Sequence, residues 1–312
     1  MTLPTFFLIQ NALLVLVIIG LVLTRSRTRS ELVVRLIAAW ILFFGALAAG
    51  LWYYPPSIGK IVYAFAFLGA TVIHIYRSDQ SGSLSLFRLQ HSPTLLCACL
   101  GAVLLWQGLI GRSAPAGKYI DLVSPMKESD GVCVMSGGAS LALNLHYLLA
   151  LSPEGRYEQH SIDFTRQDDL GVRTRSLWVF NPQPQELDEY LVLNQPVFAP
   201  CSGPVVSSEN NKEDHPAGDR FRDTSGSNHV TLQCDNRHIV LAHLKKGTVT
   251  VEEGQIIEAG TQIGLVGNSG NTEEPHLHIN AQTIISPDDT HTDREPVLMR
   301  FNGKYLSRGD CL

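Results

Sequence analysis

The chain has 312 residues, 45% of them hydrophobic and only 17% charged, with a formal net charge of -5. That length leaves room for two domains of ordinary size, and a negative balance with no basic stripe argues against nucleic acid as a partner. The apolar residues crowd into the first third, which predicts a membrane region followed by a soluble one.

Four stretches, 5–23, 33–52, 58–75 and 93–110, approach the ~20 residues that a helix rising 1.5 Å per residue needs to cross a hydrocarbon core. The first is expected to be retained, since no basic segment precedes it and Arg25, Arg27 and Arg29 follow where a small-residue cleavage site would stand. Gln10 and Asn11 are tolerable against neighbouring helices. Arg25, Arg27, Arg29 and Arg35 follow the first span, Arg77 and Arg88 the third, and the loop between spans two and three offers only Lys60. This asymmetry places both termini outside the cytoplasm and exports everything after about Gly111. The expected division is 1–111, a transmembrane region of about four helices anchored in a lipid bilayer, and 112–312, an exported domain. No acidic residue lies within the spans, so no ion path is expected; His74 and Arg35, near helix ends, read as snorkelling side chains.

Cys97 and Cys99 fall in the fourth span. Cys133, Cys201, Cys234 and Cys311 fall beyond it, where an oxidising compartment would allow three pairings. Their spacing is not that of a zinc cluster.

From about Val123 the chain becomes short apolar runs punctuated by Gly, Pro and Asn, the pattern of an all-β domain. Expected strands are 159–164, 196–199, 203–207, 229–234, 238–243, 248–251, 262–266 and 277–282. The stretch 166–187 resists assignment, and the polar stretch 209–227 reads as an exposed loop.

In the run Glu274-Pro275-His276-Leu277-His278, alternation on a strand points both histidines to one face, about 7 Å apart at ~3.4 Å per residue. Such a pair can supply a metal ligand and a neighbouring acid or base. His243 ends the apolar run 239–242, and if its strand adjoins that of His276, three imidazoles share a site. Glycines at 254, 260, 264, 267 and 270 suit tight turns around it.

The phrases Pro196-Val197-Phe198-Ala199-Pro200, Asn228-His229-Val230, Leu241-Ala242-His243-Leu244, Gly267-Asn268-Ser269-Gly270 and Pro275-His276-Leu277-His278 together resemble peptidase family M23, the LytM or lysostaphin-type zinc endopeptidases of bacterial cell wall. The resemblance covers about 144–282. It implies an all-β, duplicated-hybrid-motif β-sandwich, a Zn2+ cofactor and hydrolysis of peptide bonds in peptidoglycan cross-links or stem peptides. It also implies a bacterial cytoplasmic (inner) membrane location with the C-terminal domain on the periplasmic side; envelope protein partners are left open. In that family a His and an Asp in an HxxxD motif and the second His of HxH hold the zinc. Carried over, His278 matches the zinc-binding histidine, Asp163 the aspartate, and His243 and His276 the catalytic pair.

The chain departs from the pattern at Gln159, which stands four residues before Asp163 where the family has His. His146, in Asn144-Leu145-His146, is the favoured replacement, because a subgroup of M23-like proteins resembles this chain in placing Asn-x-His upstream of Gln-x-x-x-Asp. His160 is the alternative, although on a strand it would face away from Asp163. A third possibility is that the site has lost a ligand. His215 and Asp219 also fit HxxxD but follow the Pro-Val-x-Ala-Pro phrase and read as a solvated loop; His229, His238 and His291 read as ordinary residues. Two other functions compete: a degenerate M23-like module that binds or regulates another wall hydrolase, and a carrier or phosphotransfer domain. The latter would need a lysine at a hairpin tip or a cytoplasmic location.

Overall fold

The structure, a computed structural model, describes residues 3–52, 58–79, 81, 92–128, 131–176, 183–219, 223–284 and 294–312. Arg88 and His291 therefore lie outside the described residues. The chain divides into two compact units, Met1–Ile110 and Gly111–Leu312.

The first unit is built on α1 (Leu3–Leu23), α2 (Arg29–Ala49), α3 (Ile58–Arg77) and α4 (Ser92–Arg112), four helices long and apolar enough to cross a membrane. α2 starts at Arg29 instead of 33 because Thr28 caps it: the Thr28 hydroxyl accepts from the Glu31 N–H, and the Glu31 carboxylate accepts from the Arg27 N–H. The polar residues of α1 find partners as expected. Asn11 accepts from the Tyr63 hydroxyl at 2.7 Å, and Gln10 accepts from the Leu51 N–H at 2.9 Å. Phe43 and Phe67 stack at 4.5 Å between α2 and α3. α2 and α4 approach so closely at Gly101 that a Cβ there would lie 2.5 Å from the Leu42 backbone.

His74 corrects the snorkelling reading. It is fully buried, with Nδ1 2.9 Å from the Leu21 carbonyl and Nε2 3.0 Å from the equally buried Ser26 hydroxyl. A carbonyl only accepts, so Nδ1 carries the proton and Nε2 accepts from Ser26.

The second unit is predominantly β. Its main sheet runs in the order β2 (Val132–Ser136), β3 (Ile162–Arg166), β10 (Leu277–Ile284), β7 (Arg237–Leu244), β6 (Asn228–Cys234), β5 (Gly203–Glu209), β8 (Ile256–Ile257), with β11 (Arg294–Pro296) also paired to β10. β4 (Pro196–Phe198) pairs with β9 (Gln262–Leu265), and β1 (Tyr119–Leu122) runs parallel to β12 (Leu298–Phe301). Helix α5 (His146–Leu149) and the 3-10 turn Pro153–Glu158 separate β2 from β3. Phe164, Leu232, Ile239, Leu241, Leu277, Ile279 and Phe301 fill the core. Cys133 is joined to Cys311 and Cys201 to Cys234. The tail also pairs along β2, with Val134 N–H donating to Asp310 at 2.8 Å and Leu312 N–H to Val132 at 2.9 Å.

Three local expectations change. The strand expected at 159–164 begins only at Ile162, since Gln159 and His160 form the turn that ends the 3-10 segment. No strand forms at 248–251, because the Asn210 side chain takes the place of a strand partner: its Oδ1 accepts from Val249 N–H and its Nδ2 donates to Val249 O. The polar stretch 209–227 is not simply exposed. Asp214 accepts from the backbone N–H groups of Asn268 and Lys246, and Ala217 is buried with its N–H bonded to Gln185 O.

Candidate metal centre

β10 lies between β3 and β7, and the register sets His278 opposite Asp163 on one side and Ala242 on the other. Leu277 and Ile279 point into the core; His278 and Asn280 take the opposite face, with His276 two residues earlier on the same side. Strict alternation along β7 would send His243 into the core behind Ile239 and Leu241. A bulge prevents it: the β6–β7 register jumps from His229↔Ala242 to Asn228↔Leu244, and His243, left unpaired, adopts φ 62°. Leu244 then re-enters the core, and the His243 ring comes to 4.8 Å from that of His276 and 5.7 Å from that of His278.

His146 is delivered by the first residue of α5. The buried Asn144 amide accepts from the His146 backbone N–H at 3.1 Å and meets its Nδ1 at 2.9 Å, while its own Nδ2 faces the Gly138, Gln159 and Ser161 carbonyls. With Nδ1 so engaged, Nε2 faces Asp163 Oδ2 at 3.5 Å. Asp163 Oδ1 lies 2.9 Å from His278 Nδ1 and 3.5 Å from His276 Nε2. Two sets of donor atoms therefore lie within 4.8 Å of one another, His146 with Asp163 and His278, and His243 with His276 and His278. His160 joins neither set; its ring packs 6.0 Å from that of Tyr147. His215 and Asp219 join neither set among the described residues.

Each imidazole is held from behind. His243 Nδ1–H donates to Ser269 O at 2.8 Å and His276 Nδ1–H to Glu274 O at 2.8 Å, so both turn Nε2 toward the cluster. His278 Nε2 meets the Glu158 carboxylate at 3.0 Å. Glu158 is a residue that sequence reading missed, and so is Arg173, which forms a buried ion pair with Glu274 and lies over the Tyr190 ring at 5.5 Å. Their only signals were position: Glu158 adjoins Gln159, and Glu274 opens the HxH phrase.

The electrostatics follow from burial set against these contacts. Burial, then the neighbouring imidazoles His276 and His278, push His243 well below the usual histidine range, so it is a neutral proton acceptor at neutral pH. Burial likewise lowers His146. For Asp163, burial alone would raise the carboxyl, but the surrounding histidines, led by His146 and His276, hold it well below the usual range. Burial would lower His278, but Glu158 and Asp163 outweigh it and raise it to about 10. The same contact brings Glu158 down to about 2 against its own burial.

Two histidines and one carboxylate are a donor set that zinc accepts with one position left open. With metal–ligand bonds of about 2.1 Å, tetrahedral ligand atoms sit roughly 3.4 Å apart, close to the 3.5 Å between His146 Nε2 and Asp163 Oδ2. The residues fit the ion.

Residues 188–293 match the model of peptidase family M23. The chain is similar to the catalytic domain of the antimicrobial peptidase lysostaphin from Staphylococcus simulans, at 17% identity over 44% of this chain and 73% of that one, TM-score 0.26. It is similar to the catalytic domain of the prophage-encoded M23 protein EnpA from Enterococcus faecalis, at 17% identity over 39% and 66%, TM-score 0.26. A zinc containing peptidase from Vibrio cholerae matches at 23% identity over 28% of this chain, which spans only 24% of that one, TM-score 0.22. No curated protein matches.

Proposed function

We propose that this protein, whose second unit carries a peptidase family M23 segment at residues 188–293, is a membrane-anchored zinc metalloendopeptidase that cuts peptide bonds in peptidoglycan cross-links or stem peptides. The observation that carries the reading is the convergence of His146, Asp163 and His278 on one point beside two imidazoles that turn Nε2 toward it. His146, Asp163 and His278 would hold the metal. Zinc so bound lowers the pKa of a bound water from about 15.7 to about 7 and polarises a carbonyl.

The rest of the chemistry falls to the protein. His243, neutral and with Nδ1 committed to Ser269 O, accepts the proton that the attacking water gives up. His276, its Nδ1–H committed to Glu274 O, places Nε2 on the same side, where its lone pair accepts a hydrogen bond from the attacking water. His243 Nε2 then returns that proton to the nitrogen of the breaking C–N bond, which leaves as the amine.

Residues 1–111 form the anchor in a bacterial cytoplasmic membrane, and 112–312 work on its outer side. Two observations support that side: the arginines that follow spans one and three, and two disulfides within the second unit, a feature of oxidising compartments.

The test is zinc content by elemental analysis of the full chain in detergent, wild type beside His146→Ala, His160→Ala and His278→Ala, followed by peptidoglycan cleavage. Near-stoichiometric zinc that persists in the His160 variant and is lost in the other two, with release of peptide ends by the wild type, is expected. A folded wild type that takes no zinc would favour the degenerate module.

A further inference from the structure

We propose that Glu158 is a positioning residue for the metal centre, fixing the His278 ring so that Nδ1 and not Nε2 is presented to the ion. This rests on the zinc reading above. An imidazole can offer either nitrogen, and the choice is set by the hydrogen bond that the other one makes. In His278, Nδ1 lies 2.9 Å from Asp163 Oδ1 and Nε2 lies 3.0 Å from Glu158 Oε2. The two nitrogens point in different directions from the ring, so Glu158 stands on the other side of His278 from Asp163, and it belongs to neither set of convergent donor atoms. It is a support and not a fourth ligand.

The carboxylate is itself locked. Ser161 Oγ–H donates to Oε2 at 2.5 Å, and Asn280 Nδ2 reaches both oxygens at 3.1 Å. Asn280 shares the face of β10 with His278, so one strand supplies both the supported ligand and the clamp on its support. The 3-10 turn Pro153–Glu158, capped by the Ser152 hydroxyl on Gly155 N–H, brings Glu158 to this place.

The backing of His278 differs in kind from that of its neighbours. His146 is backed by the Asn144 amide and His243 and His276 by backbone carbonyls, all neutral; His278 is backed by a carboxylate. A charged acceptor makes the stronger bond and the more basic ligand. His278 is also the residue common to both donor sets. Its orientation therefore governs the whole centre.

The experiment compares wild type, E158Q and E158A as full chains in detergent. It measures zinc affinity by competition with a chromophoric chelator, the visible spectrum of the cobalt(II)-loaded protein, and thermal unfolding of the metal-free protein. E158A is expected to weaken zinc binding about 10–100-fold and to shift the cobalt bands. E158Q, which keeps an acceptor for Nε2–H without its charge, should fall between and carries the test if E158A does not fold. Unchanged zinc affinity and an unchanged cobalt spectrum in both variants would overturn the proposal, even if the metal-free protein unfolded at a lower temperature, because that is the signature of a merely structural Glu158. If wild type binds no zinc, the metal reading falls first and this one with it; if wild type binds and the variants match it, only this one falls.

Discussion

His243 shows how much one backbone angle decides. Its φ of 62° is sparsely populated for a residue with a side chain, yet it lifts the imidazole out of the Ile239–Leu241 face and sets it beside His276. His243→Ala and His276→Ala are expected to keep their zinc and lose cleavage by about 10²–10⁴-fold, read from metal content and the hydrolysis rate of a fluorogenic peptide; zinc lost in step with activity would make them ligands. Protonation gives a second expectation. Glu158, lowered from 4.5 to about 2, contributes stability that is present above about pH 4.5 and lost as the pH falls toward 2. Viewed from His278, raised to about 10, the same contact contributes stability that is present below 6.5 and lost as the pH rises toward 10. Chelator-treated protein should therefore show its highest urea midpoint between those limits, and E158Q should flatten both flanks; equal midpoints at pH 3, 7 and 10 would refute the coupling. His276 and His278 were legible in the sequence because alternate residues at the start of β10 share a face, whereas Asp163 was legible only through the family resemblance. Glu158 and Arg173 were not, because turns without periodicity carry them to the site.

At the scale of elements, the Arg173–Glu274 pair fastens an unassigned stretch to the turn that supports His276. Both side chains are almost completely buried, so Arg173→Met strands a carboxylate in the interior and is expected to cost about 3–5 kcal/mol. An R173M/E274L double variant should regain most of that loss, and chemical unfolding of the three proteins decides the matter. In the first unit, Gly101→Leu should disrupt the α2–α4 crossing, since even a Cβ would lie 2.5 Å from the Leu42 backbone, whereas Gly69→Leu on α3, with nothing within 4 Å, should be neutral. Retention of the monodisperse peak after heating in detergent separates the two. The alternating apolar runs disclosed most central strands. The expected strand at 248–251 failed because a side-chain amide, invisible to any periodicity, satisfied the Val249 backbone.

For the molecule as a whole, the arginine distribution carries a topological expectation. Reporter fusions near residues 26 and 81 should be active only as cytoplasmic reporters, and fusions at the N-terminus and after residue 112 only as exported ones; the opposite pattern would put the second unit inside the cell. The disulfides bear on the same point. In the chain-entropy account, closing 178 residues between Cys133 and Cys311 and 33 between Cys201 and Cys234 contributes about 5 and about 4 kcal/mol. Their replacement by serine should lower the unfolding temperature in proportion. The carboxyl-terminal tail has a role beyond that tether. It occupies the outer side of β2, the last strand of the main sheet in that direction. Were the Cys133–Cys311 bond reduced and the tail to peel away, β2 would stand as a bare row of N–H and C=O groups, a template on which the same strand of a second molecule could dock. Self-association in a reducing medium is therefore an expected outcome, checked by size-exclusion chromatography with and without reductant.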